Sequence, residues 1–244
     1  PEYALQWEVR EADRRRAEER ELAARAAQLD RQHAAAESVA IITRHGSERI
    51  VRYAFEYALA NNRQKVTLVH KANILKFSQG LFLDVGRMIA REYEGRVQFE
   101  ERIIDAMAMH LVMRPEQFDV VVTTNLFGDI LSDEISGLVG GLGLAPGANF
   151  GTTAAIFEAV HGTAPDIAGK NIANPYSMIG SVAMMLETSF NMGAEAKLVW
   201  EAMKSVFEAG YTTADLKGMG DTQLLSTAEF GDKVMDKLDA LLAL

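Results

Sequence analysis

The chain has 244 residues, a formal charge of −9 and 48% apolar residues, enough for one large domain or two ordinary ones with a sizeable core. A net acidic chain is a poor partner for polyanions, so nucleic acid is not expected, although a local basic or metal site can still take a small anion. There is no cysteine, which excludes disulfides, thiolate catalysis and Cys-ligated metals; without a ~20-residue apolar run or a signal-peptide pattern, the expectation is a soluble cytoplasmic protein with no membrane contact.

Residues 1–37 differ in texture from the rest. Tyr3–Arg10 alternates apolar and polar side chains, the period of a half-buried strand. Residues 11–36 are mostly Ala, Arg, Glu and Gln, all good helix formers, with Leu22, Ala26 and Leu29 as a thin apolar stripe. A solvated surface helix and a partner helix both fit it, and the idealised composition also suits a redesigned segment. From Ser38 onward, α and β patterns alternate. Val39–Thr43 reads as a short strand. Ser47 can cap a helix running to about Asn61. A strand is expected at Lys65–His70, a helix at Phe77–Tyr93, a strand at Arg96–Glu100 and a helix at Ile103–Val112. After Pro115 come a strand, Phe118–Thr124, and a helix from Leu126 to Val139. A Gly-rich passage follows, from Gly140 through Gly151. A strand, Thr153–Phe157, a loop, His161–Asn174, and three helices near Pro175–Phe190, Ala194–Ala209 and Thr227–Leu241 complete the pattern. The fold class is α/β.

Asp129 and Asp133 stand at i and i+4 on a predicted helix, so both carboxylates share one face about 5–6 Å apart at Cβ. A hard divalent cation with oxygen ligands, Mg2+ or Mn2+, would relieve their repulsion; on spacing alone, two solvated carboxylates fit as well. Asp105 interrupts an apolar run, where it is paired, metal-bound, or held at a helix N-terminus. Lys71 follows a strand, at the kind of place where α/β folds put functional loops, and can serve in proton transfer or simply lie on the surface. The stretch from Glu158 through His161, Gly162, Thr163, Ala164, Pro165, Asp166 and Ile167 to Asn174 mixes Gly, Pro, Asn and Asp after a strand, and can wrap a ligand with backbone N–H groups. It is neither a G-x-G-x-x-G turn nor a phosphate-binding P-loop. In a dinucleotide site, Asp166 would accept from a ribose 2′-hydroxyl and repel a 2′-phosphate, favouring NAD.

Together, His70-Lys71-Ala72-Asn73-Ile74-Leu75-Lys76, Asn125-Leu126-Phe127-Gly128-Asp129-Ile130-Leu131-Ser132-Asp133 and His161-Gly162-Thr163-Ala164-Pro165-Asp166 resemble the β-decarboxylating dehydrogenases, the isocitrate and isopropylmalate dehydrogenase family, from about Ser38 to the C-terminus. His70, Lys76, Phe157-Glu158-Ala159-Val160, Thr163 and Gly147-Ala148-Asn149 look more like the isocitrate enzymes. The resemblance implies a two-lobed α/β fold: a small dimerisation lobe over residues 38–140, and the C-terminal half of a nucleotide-binding lobe over 141–244, with a hinge at the glycines between them. It implies a homodimer and NAD-dependent oxidative decarboxylation of isocitrate to 2-oxoglutarate and CO2. Asp129 and Asp133 would hold Mg2+ or Mn2+, completed by Asp105 from the neighbouring subunit. Lys71, from the same neighbour, would be the proton-transfer lysine. Glu158, His161 to Ile167 and Asn174 would bind NAD.

The family's arginine-bearing substrate motif, Arg-Glu-Asn-Thr-Glu-Gly-Leu-Tyr, has no counterpart here, and the first strands of the nucleotide lobe are not recognisable. An Ala/Arg/Glu-rich helix stands where the family has a dimer-building β clasp. Isocitrate carries three carboxylates, and each missing charge-assisted contact is worth about 1.5–3 kcal/mol. Three alternatives therefore stay open: completion by a second chain, an inactive truncated or engineered scaffold, and isopropylmalate or homoisocitrate as the substrate.

Overall fold

Lys65–His70 (β1) is the organising element. Its β-branched Val66, Thr67 and Val69, with Leu68, suit a strand covered on both faces, and every residue from Val66 to His70 is buried. The computed structural model describes residues 19–24, 36, 38–218, 220 and 222–243. In it, β1 lies between two parallel neighbours, Gln98–Ile103 (β2) and Val120–Thr123 (β3), in the order β2-β1-β3. The ladders run from Lys65↔Gln98 to His70↔Ile103, and from Val66↔Val120 to Val69↔Thr123.

Parallel neighbours need crossovers. Helix Ser78–Glu92 carries the chain from β1 to β2, and helix Ile104–Met113 from β2 across to β3. The two crossovers run in opposite directions along the sheet, so right-handed connections place their helices on opposite faces. The core divides accordingly. Arg44–Ala60 (α1) and Ser78–Glu92 (α2) cover one face, where Val51, Phe55, Phe82, Val85 and Ile89 enclose Val66 and Leu68. Ile104–Met113 (α3) and Asn125–Val139 (α4) cover the other, where Met107, Leu111 and Leu131 surround Val69.

Two expectations fail at the start of this region. Val39–Thr43 forms no strand: among the described residues no strand pairs with it, and Ile41 is 70% exposed. An apolar run becomes a strand only when a neighbour supplies the ladder. Ser47 does not cap α1. Thr43 does so, its Oγ1 accepting from Gly46 N at 3.0 Å, while Ser47 is buried one turn inside the helix and donates to Thr43 O at 2.8 Å. Residues 19–24 are helical, within the helix expected over 11–36; the rest of that helix and the expected strand Tyr3–Arg10 lie outside the described residues.

α4 ends at Gly140 and Gly141, with φ of +127° and +122°, conformations L-residues rarely adopt. The Gly-rich passage that follows contains a strand. Pro146–Phe150 (β4) pairs antiparallel with Ala155–Ala159 (β5), and Gly147 is required where a Cβ would lie 3.1 Å from Glu158 O. Helices Tyr176–Ser189 (α5), Gly193–Glu208 (α6) and Thr227–Leu242 (α7) follow, close to expectation. Ala202, Met203, Val206, Phe230 and Val234 form their core. A Ser226–Glu229 capping box starts α7. Tyr211–Thr212 (β6) and Gln223–Leu224 (β7) form a short parallel pair that the sequence did not announce. The Tyr53 ring stacks on Phe150, centroids 5.5 Å apart, linking α1 to β4. No described helix is long and apolar enough to cross a membrane.

Candidate active site

Loops that follow parallel strands collect at the strands' carboxyl ends, where open α/β sheets bind ligands. The pairings His70↔Ile103 and Val69↔Thr123 therefore bring Lys71, Asp105 and the Thr124-Asn125 start of α4 to one edge of the sheet. Lys71 Nζ pairs with the Asp105 carboxylate there. The lysine side chain is largely covered, 23% exposed, whereas that of Asp105 is 66% exposed. Asp105 sits in the first turn of α3, where the helix dipole favours a carboxylate. The pairing and the helix-end position left open by the sequence hold together.

The backbone around Lys71 is held on every side. Buried His70 accepts from Ala72 N at its Nδ1, 3.0 Å away, and burial lowers its pKa from the ordinary value, favouring the neutral ring that such an acceptor requires. Lys71 O accepts from Ile74 N at 3.1 Å and Leu75 N at 2.9 Å. Lys71 N donates to Gln79 Oε1 at 3.4 Å, and Gln79 Nε2 donates to Thr124 Oγ1 at 3.3 Å. Neither His70, left unassigned by the sequence, nor Gln79 carried a spacing signal; the only hint at Gln79 is a polar side chain on the first turn of an apolar helix.

Asp129 and Asp133 lie one turn apart on the exposed face of α4. Among the described residues neither carboxylate has a hydrogen-bond or ion-pair partner, and no group of three or more Asp, Glu, His or Cys comes together. A single chain thus does not bring Asp105 to Asp129 and Asp133. The surface beside them is apolar: Met109, Val112 and Met113 of α3 and Leu126, Ile130 and Val139 of α4 are all exposed.

The loop after β5 has a free half and an anchored half. His161 to Asp166 are exposed, with His161 Nδ1 2.9 Å from Gly162 O. Ala164 takes the left-handed conformation, φ +44°, and opens a 3-10 turn, Pro165–Ile167, closed by Ile167 N donating to Ala164 O at 3.0 Å. Further on, Asn171 Oδ1 accepts from Ala228 N at 3.1 Å. Asn174 is buried, donating to Asp215 Oδ2 at 3.2 Å and accepting from Tyr176 N at 3.0 Å. Its polar atoms are engaged within the chain, as is Glu158 Oε1, which accepts from Asn149 Nδ2 at 2.7 Å.

The profile of the family described as isocitrate/isopropylmalate dehydrogenase matches residues 13–234. The chain belongs to this family. The match starts within the atypical N-terminal segment, earlier than the expected Ser38. The 3-isopropylmalate dehydrogenase of Archaeoglobus fulgidus is 53% identical over 203 residues, 83% of this chain and 60% of the relative. The homoisocitrate dehydrogenase of Methanocaldococcus jannaschii is 50% identical over 198 residues, 80% of this chain and 54% of the relative. The crystal structure of isocitrate dehydrogenase from Methylococcus capsulatus superposes with a TM-score of 0.80 at 55% identity, over 86% of this chain and 60% of that one. Other relatives are named for NAD and for NADP. The chain spans only about two fifths to three fifths of these relatives' lengths, and overall identity does not separate the three substrates.

Proposed function

We propose that the chain forms part of an NAD-dependent isocitrate dehydrogenase that works as a homodimer. The observation that carries this reading is the Lys71–Asp105 pair at one sheet edge, with Asp129 and Asp133 lacking a partner among the described residues and lying on the same helix pair as the exposed apolar side chains of α3 and α4. Exposed apolar side chains grouped in this way fit an interface. Pairing that surface with a second copy would bring Asp105 of the partner subunit to Asp129 and Asp133. Three carboxylates form an all-oxygen donor set, suited to Mg2+ or Mn2+.

When bound, the divalent cation would supply Lewis-acid polarisation at the substrate's oxygens and NAD the hydride acceptor. The chain's own residues would do the rest. Lys71 would take the proton of the substrate hydroxyl and return one after CO2 leaves, with Asp105 orienting its Nζ. Asp129 and Asp133 would hold the cation. His161 to Ile167 would wrap the adenosine end of the dinucleotide, and Asp166 would accept from the ribose 2′-hydroxyl and repel a 2′-phosphate. Asn174 would support this loop through Asp215 and the start of α5.

The test is absorbance at 340 nm with isocitrate, Mg2+ and NAD, run beside NADP, isopropylmalate and homoisocitrate. Lys71→Met is expected to lower turnover at least about 100-fold, within the range for losing a general acid–base group. Flat absorbance from the wild-type chain at high protein concentration overturns the catalytic reading and leaves a scaffold of the same ancestry.

A further inference from the structure

We infer that Gln79 is a positioning residue that fixes the spacing between the Lys71 turn and the start of the acid-bearing helix α4. The inference rests on the proposed function for its consequence in turnover. Gln79 lies in the first turn of α2, only 4% exposed, and both ends of its amide are used. Its Oε1 accepts from Lys71 N, one residue beyond the last ladder residue of β1. Leaving that N–H without a partner in a covered site would be destabilising. Its Nε2 donates to Thr124 Oγ1. Thr124 is the N-cap residue of α4, yet its hydroxyl makes no capping bond to its own helix. The start of α4 is instead tied to α2.

One side chain thus touches the loops that follow two adjacent strands, β1 and β3. On one loop stands the lysine that pairs with Asp105; on the other begins the helix that presents Asp129 and Asp133. A carboxamide suits the place because it accepts at one end and donates at the other. In a dimer where Lys71 serves the partner's site and α4 the chain's own, the same amide would also tie the two sites together.

Two variants test this. Gln79→Met keeps length and apolar bulk but removes both hydrogen bonds. Gln79→Glu can still accept from Lys71 N, and the Thr124 hydroxyl can turn to donate to it. Amide hydrogen exchange is followed at Lys71 and at Val66 to Val69 of β1. Gln79→Met is expected to speed exchange at Lys71 about tenfold while the β1 amides keep their rates, and Gln79→Glu to restore protection. Unchanged exchange at Lys71, acceleration in step with β1, or failure of Gln79→Glu to restore protection overturns the inference. In the turnover assay, Gln79→Met is expected to lower kcat about tenfold or more with KM within about twofold, because misplacement affects the reacting geometry more than binding. Wild-type kcat in Gln79→Met overturns the inference too. A wild-type chain without turnover sinks the functional reading alone, and hydrogen exchange then decides the role of Gln79.

Discussion

From Arg44 to Val139, three parallel strands are covered on both faces, and the residues at their carboxyl ends inherit that rigidity. Lys71 is held through His70, Gln79 and its own turn, and Asp105 by the first turn of α3. From Pro146 to Leu242 the described strands come only in pairs, and the buried apolar cluster is five side chains between α6 and α7. The loop from His161 to Asn174 is anchored at its far end, by Asn171 on α7 and Asn174 on Asp215, while its first half stands in solvent. A group that moves a proton must sit within hydrogen-bond reach of one atom, and a sheet edge supplies that. In the proposed function, a loop that closes over a dinucleotide would hold part of its shape in reserve until the ligand arrives.

The strongest way to break this comparison is to ask whether the regions unfold separately. Their buried clusters share no residue. Leu68→Ala should destabilise the first region by about 2–5 kcal/mol and Phe230→Ala the second by about 3–5 kcal/mol, since both side chains are fully buried. In a Trp7→Phe background, Trp200 fluorescence reports the second region alone. Phe230→Ala should lower the midpoint of its urea transition, while Leu68→Ala should move the circular dichroism transition and leave fluorescence in place. Coincident shifts from both variants would show one cooperative unit.

Each region also has a glycine where a helix makes a close approach, and these rank the two packings. A Cβ on Gly86 of α2 would fall 2.1 Å from Leu68 Cδ1, inside the covered core. On Gly180 of α5 it would fall 2.8 Å from the half-buried Trp200 ring and 3.2 Å from Pro146. Gly86→Ala should destabilise by about 1–3 kcal/mol, the usual range for overpacking, despite alanine's better helix propensity. Gly180→Ala should be milder, because the nearest atoms belong to the far edge of a half-buried ring rather than to a fully buried side chain. Chemical denaturation of the two variants gives the order, and the reverse order would mean that the second region is the tighter one.

The sequence made the first region more legible than the second for the same reason. β1 and α2 were readable because each buries a regular stripe or run against neighbours close in the chain. β4 was not, since Pro146 and Gly147 are ordinary loop residues and only the ladder to Ala155–Ala159 makes them part of a strand. Val39–Thr43 shows the opposite error, a strand-like run that no described neighbour pairs with. At the site, the i, i+4 spacing of Asp129 and Asp133 was visible, and so was the oddity of Asp105 in an apolar run. The bonds from Gln79 to Thr124 and from Asn174 to Asp215 join residues 45 and 41 positions apart, and no local pattern encodes them.

The smallest expected effect bears on the loop's exposed half. Ala164, at φ +44° and ψ +59°, occupies a conformation that disfavours an L-residue by about 1–2 kcal/mol. Ala164→Gly relieves that strain, but it also gives the unfolded chain and the free loop more conformations, worth about 0.4–1 kcal/mol. The two effects oppose each other, so the melting temperature should scarcely change. Affinity for NAD should respond in one direction only, because the free loop has more freedom to lose on binding; a Kd two to five times weaker corresponds to that entropy. Titration calorimetry measures it. Equal affinity in both forms would mean that the Pro165–Ile167 turn sets the loop's shape without help from Ala164, and the first half of the loop would then be as well held as the sheet edge.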